Sequence, residues 1–505
     1  MKPIHFSRIA AVLSLIALAA TRLPAEASEK PSVPRNVVFI LADDLGWGEL
    51  GCYGQEKIRT PHLDQLAREG TRFTQHYSGA PVCAPARCVL MTGKHLGHAE
   101  IRGNLQAKVG FPQFKEGQHP ISAAAYTVAQ NFKAAGFATG AMGKWGLGPV
   151  GSSGDPNQHG FDLFFGYNCQ AVAHSFYPKS LWRNAEVVTI NEVPVPGHGK
   201  VPDGPVRMED WTGTTHASVP ILAEGLKFID DHKAGRFFLY LPFTEPHVSL
   251  QPPIKSVEEY PAEWDTEPYR GQNGYTPHPR PRAAYAAMIS DLDRHVGAVV
   301  AKLREAGILD QTLIVFTSDN GTTHDGKDPR FQIGGVDAKF FNSARELRGF
   351  KGSVYEGGLR VPLIVRYPAA VKAGATSNLP GYFADWFPTL SAACGLQVPT
   401  GLDGENLWPA ITGSEAKMTR RPMVWVYPEY SGQVAVRIDT FKVLRRGLST
   451  KRPGPWEVYD IANDIGEQSN LAESRKDLIE KAVAILRDQT SENAIFPLTL
   501  PPVAP

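Results

Sequence analysis

The sequence has no surplus of either charge: 52 Lys and Arg stand against 51 Asp and Glu in 505 residues. Chains that wrap nucleic acid carry a basic surplus or stripe, so the balance argues against such a partner, and any anion must be held by a few placed cations. Cysteine is scarce, five in all, too few for a disulfide scaffold, and the odd count leaves at least one thiol to account for. No apolar run approaches the ~20 residues a membrane-spanning helix needs, so no stable membrane insertion is expected. Several enzyme signatures are missing too. Neither H-E-x-x-H nor G-x-S-x-G occurs, and no internal repeat is present. Gly146-Leu147-Gly148-Pro149-Val150-Gly151 spells G-x-G-x-x-G, but Pro149 and the Gly, Ser and Pro residues after it do not open a helix. Gly143-Lys144 lacks the upstream glycine and the following Ser or Thr of a phosphate-binding loop.

What is present reads first as an exported protein. Lys2 and Arg8 flank an apolar run, Ile9 to Ala20, and Ala25-Glu26-Ala27 follows as a small-x-small cleavage pattern. Residues 1–27 are therefore expected to be a signal peptide, and the protein to be secreted or periplasmic. Beyond it the texture is α/β. Asn36 to Leu41, Arg236 to Leu241, Thr312 to Phe316 and Val361 to Val365 are apolar runs of buried-strand type. Between them lie helices opening at Thr60-Pro61 and closing at Gly70, from about Thr127 to Ala135, and from Ala283 to Ala306. Such alternation predicts a mostly parallel sheet sandwiched by helices over residues 28–395. Residues 396–505 hold four short strand candidates at hairpin spacing, from Val424, Val434, Phe441 and Trp456, and a helix from about Ser474 to Gln489. They predict a smaller antiparallel sheet with one helix. The Pro/Gly-rich stretch Gln251 to Pro281 is expected to be a long surface loop.

Chemistry gathers where strands end. The first strand runs into Asp43-Asp44, and the strand Thr312 to Phe316 into Ser318-Asp319-Asn320-Gly321. In an open α/β sheet, ligands sit outside the carboxyl ends of strands. Together the two ends offer four hard oxygens and about three negative charges, a set that suits Ca²⁺ or Mg²⁺ and not zinc. Cys83, taken alone, could equally be a buried thiol or half of a disulfide with Cys88.

Pro81-Val82-Cys83-Ala84-Pro85-Ala86-Arg87-Cys88-Val89-Leu90-Met91-Thr92-Gly93 resembles, at every defined position, the pattern around the formylglycine cysteine of type I sulfatases, the arylsulfatase and carbohydrate sulfatase group. The resemblance extends over Asn36 to Gly46, Gly143-Lys144-Trp145, Phe316 to Gly321 and Lys351 to Gly358, and so over most of the chain to about Gly404. It implies an alkaline-phosphatase-like fold, hydrolysis of a sulfate ester, a divalent cation (usually Ca²⁺), and a maturase that converts Cys83 to formylglycine. In its hydrated form that residue carries two hydroxyls on one carbon. One attacks sulfur and displaces the alcohol; the other then loses its proton and expels sulfate by C–O cleavage, an exit a serine lacks.

Carried over position by position, the resemblance assigns Asp43, Asp44, Asp319 and Asn320 to the metal, with residue 83 completing its shell. Arg87 would hold the hydrate with its planar fork. Lys144 and Lys351 would contact sulfate oxygens and assist the leaving group, and His247, in Thr244-Glu245-Pro246-His247, would protonate the departing alcohol. One departure stands out. Many members read Gly-Lys-Trp-His where this chain has Gly143-Lys144-Trp145-Gly146, and that histidine takes a proton from the hydrate. His324 is a candidate substitute, or a substrate contact. His174, Tyr177 and Arg183, with Lys94 to His98, Arg102 and Asn104, offer aromatic faces and donors suited to sugar rings. The expected substrate is a sulfated glycan built on galactose or N-acetylhexosamine, desulfated from its end. The alternatives are a small aryl sulfate, a phosphonate or phosphate ester, or a silent sugar-binding relative in which Cys83 stays a thiol.

Overall fold

The structure, a computed structural model, describes Met1 and residues 33–324, 333–413 and 418–502. Apart from Met1, the expected signal peptide lies outside the described residues. Among them, sixteen strands follow one another: β1 (Asn36–Ala42), β2 (Thr71–Phe73), β3 (His76–Tyr77), β4 (Ala138–Lys144), β5 (Leu163–Tyr167), β6 (Ser180–Arg183), β7 (Glu186–Thr189), β8 (Phe237–Pro242), β9 (Thr312–Ser318), β10 (Leu363–Arg366), β11 (Ala375–Ser377), β12 (Gly381–Tyr382), β13 (Met423–Tyr427), β14 (Gln433–Ile438), β15 (Phe441–Arg446) and β16 (Glu457–Asp460). Ten form one sheet in the order β11-β2-β10-β9-β1-β8-β4-β5-β6-β7. Its centre, β9-β1-β8-β4-β5, is parallel, whereas β10 and β6 run antiparallel to their neighbours.

The central strand explains the sandwich. All seven residues of β1 are buried, because both faces are covered. Val37, Phe39 and Leu41 join one core with α2 (Cys83–Thr92), α3 (Val128–Ala134) and the helix Trp386–Ala393. Val38, Ile40 and Ala42 face the other way, toward α1 (Pro61–Glu69), α4 (Ser218–His232) and the helix Pro281–Glu305. Two-residue alternation thus divides one strand between two apolar layers. Thr60 precedes α1 as expected, but its hydroxyl donates to Asp64 (3.2 Å) and accepts from the Gly51 amide (2.8 Å) instead of capping the helix.

Strands β13 to β16 form the smaller antiparallel sheet in sequence order. Val424, Val426, Val434 and Val436 pack with Leu478, Ile479 and Ala482 of the helix Lys476–Asp488. Trp425, Tyr427, Ala435 and Leu444 point oppositely and join the first core of the large sheet. Here the Trp425 indole donates to the Ser78 carbonyl at 3.0 Å.

The stretch 251–281 is not the surface loop expected of its composition. It contains a helix, Ile254–Glu258, and buries Val257, Tyr260, Tyr269 and His278. Its polar groups find partners on the long helix: Ser256 donates to Asp291 at 2.9 Å, and the Tyr260 and Ser290 hydroxyls lie 2.6 Å apart. Among the described residues, no helix is long and apolar enough to cross a membrane.

Candidate active site

Register brings the charged residues together. β1 and β9 pair in parallel from Asn36–Thr312 to Ala42–Ser318, so the next residues, Asp43 and Asp319, leave the sheet side by side. The neighbouring strands β8 and β4 end at the same edge. β4 closes on Lys144, and the segment after β8 carries His247, while the Asp43 amide donates to the Glu245 carbonyl at 3.1 Å. Asp44 adopts φ +66°, a left-handed turn that aspartate tolerates better than most residues, and its amide donates to Asp319 Oδ1 at 3.1 Å. The remaining member is presented by α2. Cys83 is the first residue of that helix, and its Sγ lies 3.5 Å from Asp43 Oδ1. Pro85, in the first turn, lacks only an amide hydrogen that has no intrahelical acceptor there. All ten residues of α2 are buried, and the helix ends at Gly93 with φ +65°, its N–H donating to the Val89 carbonyl.

Three cations face three carboxylates. Arg87, one turn after Cys83, bonds Asp319 Oδ2 through Nε (3.2 Å) and Nη2 (2.8 Å), Asp43 Oδ2 through Nη2 (3.2 Å), and the Lys144 carbonyl. The Lys144 ammonium donates to Asp43 Oδ2. Lys351 Nζ lies 2.8 Å from Asp44 Oδ2 and 3.1 Å from His247 Nε2. Burial would raise the Asp43 carboxyl, but Lys144, His247 and Arg87 hold it well below the usual carboxylate range. Asp319 goes the other way: burial and then the adjacent Asp43 push it up to about 6. His247 donates from Nδ1 to the Val248 carbonyl, which leaves Nε2 as an acceptor toward Lys351. Burial and then the Lys351 charge hold this imidazole well below its ordinary value, so it is neutral.

The donor set fits a hard cation. Asn320 gives both amide hydrogens away, to Asp44 Oδ1 (2.7 Å) and the Gly321 carbonyl (3.0 Å), and its Oδ1 is a buried acceptor without a hydrogen-bond partner. An orphaned carbonyl-type oxygen beside Asp43, Asp44 and Asp319 is what a coordinated Ca²⁺ or Mg²⁺ would satisfy. Like-charge repulsion at Asp319 would be relieved by the same ion. Ligand atoms of Asp43, Asp44, Cys83 and His247 lie within 4.8 Å of one another.

These residues open on a cleft of about 220 Å³ lined by Asp44, Cys83, His174, His247 and Lys351, together with side chains that sequence reading passed over: Gln106, Gln118, Gln170, Tyr275 and Tyr430. Asn104 lines it as well, its Oδ1 accepting the Ala84 amide at 3.0 Å. His174 stacks on His247 with centroids 5.1 Å apart. The other sugar-binding candidates lie elsewhere. Arg102 is buried and donates to the Ala99 (3.0 Å) and Gly97 (2.6 Å) carbonyls and to Ser491. Arg183, on β6, pairs with Glu224 and covers the Phe165 ring. His324 puts Nε2 2.9 Å from the Val336 carbonyl and edges against Phe350; its neighbour Thr323, not His324, lines the cleft. Nothing local in the sequence signals the glutamines, because their relevance is created by chain crossings: the Gln170 amide is fixed by Gln118 Oε1 at 2.7 Å.

Residues 35–396 match the family described as Sulfatase, and residues 349–493 match the C-terminal region of N-sulphoglucosamine sulphohydrolase. The chain is 30% identical to human (Homo sapiens) arylsulfatase A over 469 residues, covering 87% of this chain and 83% of that protein. It is 29% identical to the steryl-sulfatase of Mus musculus over 471 residues, 82% and 70% of the two chains. Among solved structures, Ps i-CgsB in complex with k-i-k-neocarrahexaose superposes with a TM-score of 0.72 at 27% identity, covering 90% of this chain and 92% of that one.

Proposed function

Because the chain belongs to the sulfatase family and is thereby a sulfuric ester hydrolase, we propose that it removes sulfate from the end of a sulfated glycan, with residue 83 as the nucleophile after conversion to formylglycine. The observation that carries this reading is the junction of Cys83 with two strand-end pairs of oxygen donors, three carboxylates and one amide, and three buried or half-buried cations. A divalent ion held by Asp43, Asp44, Asp319 and Asn320, assigned here as Ca²⁺, would polarise the sulfate and favour the ionised nucleophile. Arg87, Lys144 and Lys351 already balance the three carboxylates, so the positive charge such an ion adds calls for an anion. A sulfate ester supplies it.

Arg87 is rigid and desolvated, and its guanidinium orients the carboxylates next to residue 83. Lys144, tethered to Asp43, and Lys351, tethered to Asp44, each keep further N–H donors for sulfate oxygens. Lys351 also donates to His247 Nε2, so the proton for the departing alcohol is assigned to the Lys351–His247 pair and not to His247 alone. Asn104, Gln106, Gln118 and Gln170 bring neutral donors and acceptors to the same cleft, and Tyr275 and His174 bring rings, a combination that suits sugar hydroxyls and ring faces. The apolar run before residue 27 supports export, to where such polysaccharides are met.

The test is a panel of mono-sulfated galactose and N-acetylhexosamine saccharides with sulfate release as readout, run beside an aryl sulfate, phosphate mono- and diesters and a phosphonate. The reading predicts that a sugar sulfate is the best substrate. Faster turnover of the phosphorus esters would replace it with phosphoryl chemistry on the same fold, and no turnover of any ester would point to a silent binding protein.

A further inference from the structure

A second chamber of about 720 Å³ adjoins the cleft, and Lys351 and Tyr430 line both. The smaller sheet builds its far wall. Arg446, the last residue of β15, and Arg452, in the turn before β16, border it, and Tyr355 and Glu457 form part of its lining. Two of its charges are already spent. Glu457 accepts from the Tyr355 hydroxyl (2.9 and 2.7 Å) and the Tyr459 hydroxyl (2.6 Å) and sits 3.5 Å from Arg348. Arg348 in turn donates to Tyr459 (2.9 Å) and to the Glu467 carbonyl (3.0 Å). Arg446 is placed differently. Its guanidinium lies 4.4 Å above the Tyr355 ring, Glu457 is 3.8 Å from its Nε, and that Nε is buried without a hydrogen-bond partner. Arg452 is exposed on the rim.

An aromatic floor under an under-used guanidinium, with a second arginine at the mouth, is the chemistry of a site for a planar or tetrahedral oxyanion carried on a sugar. We propose that this chamber seats a second anionic group of the substrate, a sulfate or carboxylate on the sugar unit next to the one being desulfated, held by Arg446 and Arg452. The proposal rests on the sulfated-glycan reading above and narrows it: the preferred substrate is a multiply charged oligosaccharide and not a mono-sulfated monosaccharide. Tyr430, 61% exposed at the junction of the two chambers, would be the surface over which the linkage passes.

The test uses the full chain and three probes: an ι-carrageenan tetrasaccharide, which carries a sulfate on each of two adjacent sugar units, a chondroitin sulfate tetrasaccharide, and the chemically desulfated form of the first. Calorimetric Kd values are compared for wild type, Arg446→Gln and Arg452→Glu, alongside hydrolysis of 4-nitrophenyl sulfate. We expect at least one charged tetrasaccharide to bind more tightly than the neutral one, and each variant to weaken that binding about tenfold, the scale of one lost charge contact. Rates on 4-nitrophenyl sulfate should stay unchanged. Arg452→Glu alters an exposed side chain and so keeps the test decisive if Arg446→Gln folds poorly. Equal affinity of wild type and Arg452→Glu for every charged probe that binds, or failure of both charged probes to bind more tightly than the neutral one, overturns the proposal. Arginine-dependent binding without hydrolysis of any sulfate ester would sustain the chamber and sink the hydrolase reading, so the two can fail separately.

Discussion

Gly146 adopts φ +80°, and a Cβ there would stand 2.8 Å from Gln170 Nε2. The position at which the sulfatase resemblance leads one to expect a histidine is thus both left-handed and approached by the Gln170 side chain. Restoring the imidazole by Gly146→His should therefore lower the Tm, with roughly 1–3 kcal/mol of backbone strain, and should not raise turnover; a thermal melt with a parallel rate measurement checks both. Gln170 is the group to remove instead. Its Nε2 is buried without a hydrogen-bond partner, whereas its backbone amide is held by Gln118. Gln170→Ala should leave the Tm nearly unchanged yet reduce kcat/KM by about tenfold, the scale of one or two neutral hydrogen bonds to substrate. Unchanged kcat/KM would remove Gln170 from the site. At this scale the sequence is legible wherever a motif names both residue and neighbours, as for Asp43, Asp44, Cys83, Arg87, Asp319 and Asn320. It misleads where only residue type is visible. Arg102 has the chemistry of a sugar contact but spends it on Gly97, Ala99 and Ser491, the last 389 positions away in the chain.

Among elements, β1, β8 and β9 are legible because burial on both faces demands unbroken apolar runs. The strands β6 and β7 are not, since β7 is an exposed edge whose Glu186–Thr189 has little to bury. α2 escapes periodicity for the opposite reason: a helix buried all round shows no polar face. The join between the two sheets was equally hidden. Lys442 of β15 is wholly buried, donates to Glu356 Oε1 at 3.0 Å and forms an ion pair with Glu467 Oε1 at 3.1 Å. Against the burial that would raise it, Lys442 and Arg360 hold Glu356 down to about 2, while burial pushes Glu467, the second carboxylate on the same ammonium, up to about 7. Lys442→Met should leave two buried carboxylates facing each other and cost about 3–5 kcal/mol. Denaturant unfolding reads that loss, and Lys442→Met with Glu467→Gln should recover part of it. Equal stability of wild type and Lys442→Met would show that the network does not tie the sheets together.

For the whole molecule, two bulk measurements follow from groups dispersed through the fold. A cation that binds the folded site and not the unfolded chain stabilises by about 2.7 kcal/mol at a hundred times its Kd. Protein stripped with a chelator should therefore melt lower, and Ca²⁺ should restore the Tm; identical melts with and without the ion would argue against the oxygen set as a metal site. Acid should act through buried histidines. His76, His216 and His278 are each lowered to about 3 by burial, so the unfolded chain takes up protons below about pH 6.5 that the folded one refuses, and their stabilisation is lost progressively as pH falls toward 3. Glu49 and Glu245, raised to about 7 by burial, bind protons in the folded state first and so offset this loss between about 7 and 4.5. Melts from pH 7 to 3.5 should thus show the steep decline concentrated below about 4.5, and a decline complete above that value would contradict the assignment. The central claim, however, concerns one side chain at the sheet edge on which all these parts converge. The mass of the tryptic peptide that contains residue 83, taken from active enzyme made in its native host, tests it most directly. Formylglycine at position 83, with sulfur exchanged for oxygen and two hydrogens lost, is the predicted result; an unmodified cysteine in protein that still releases sulfate would contradict it.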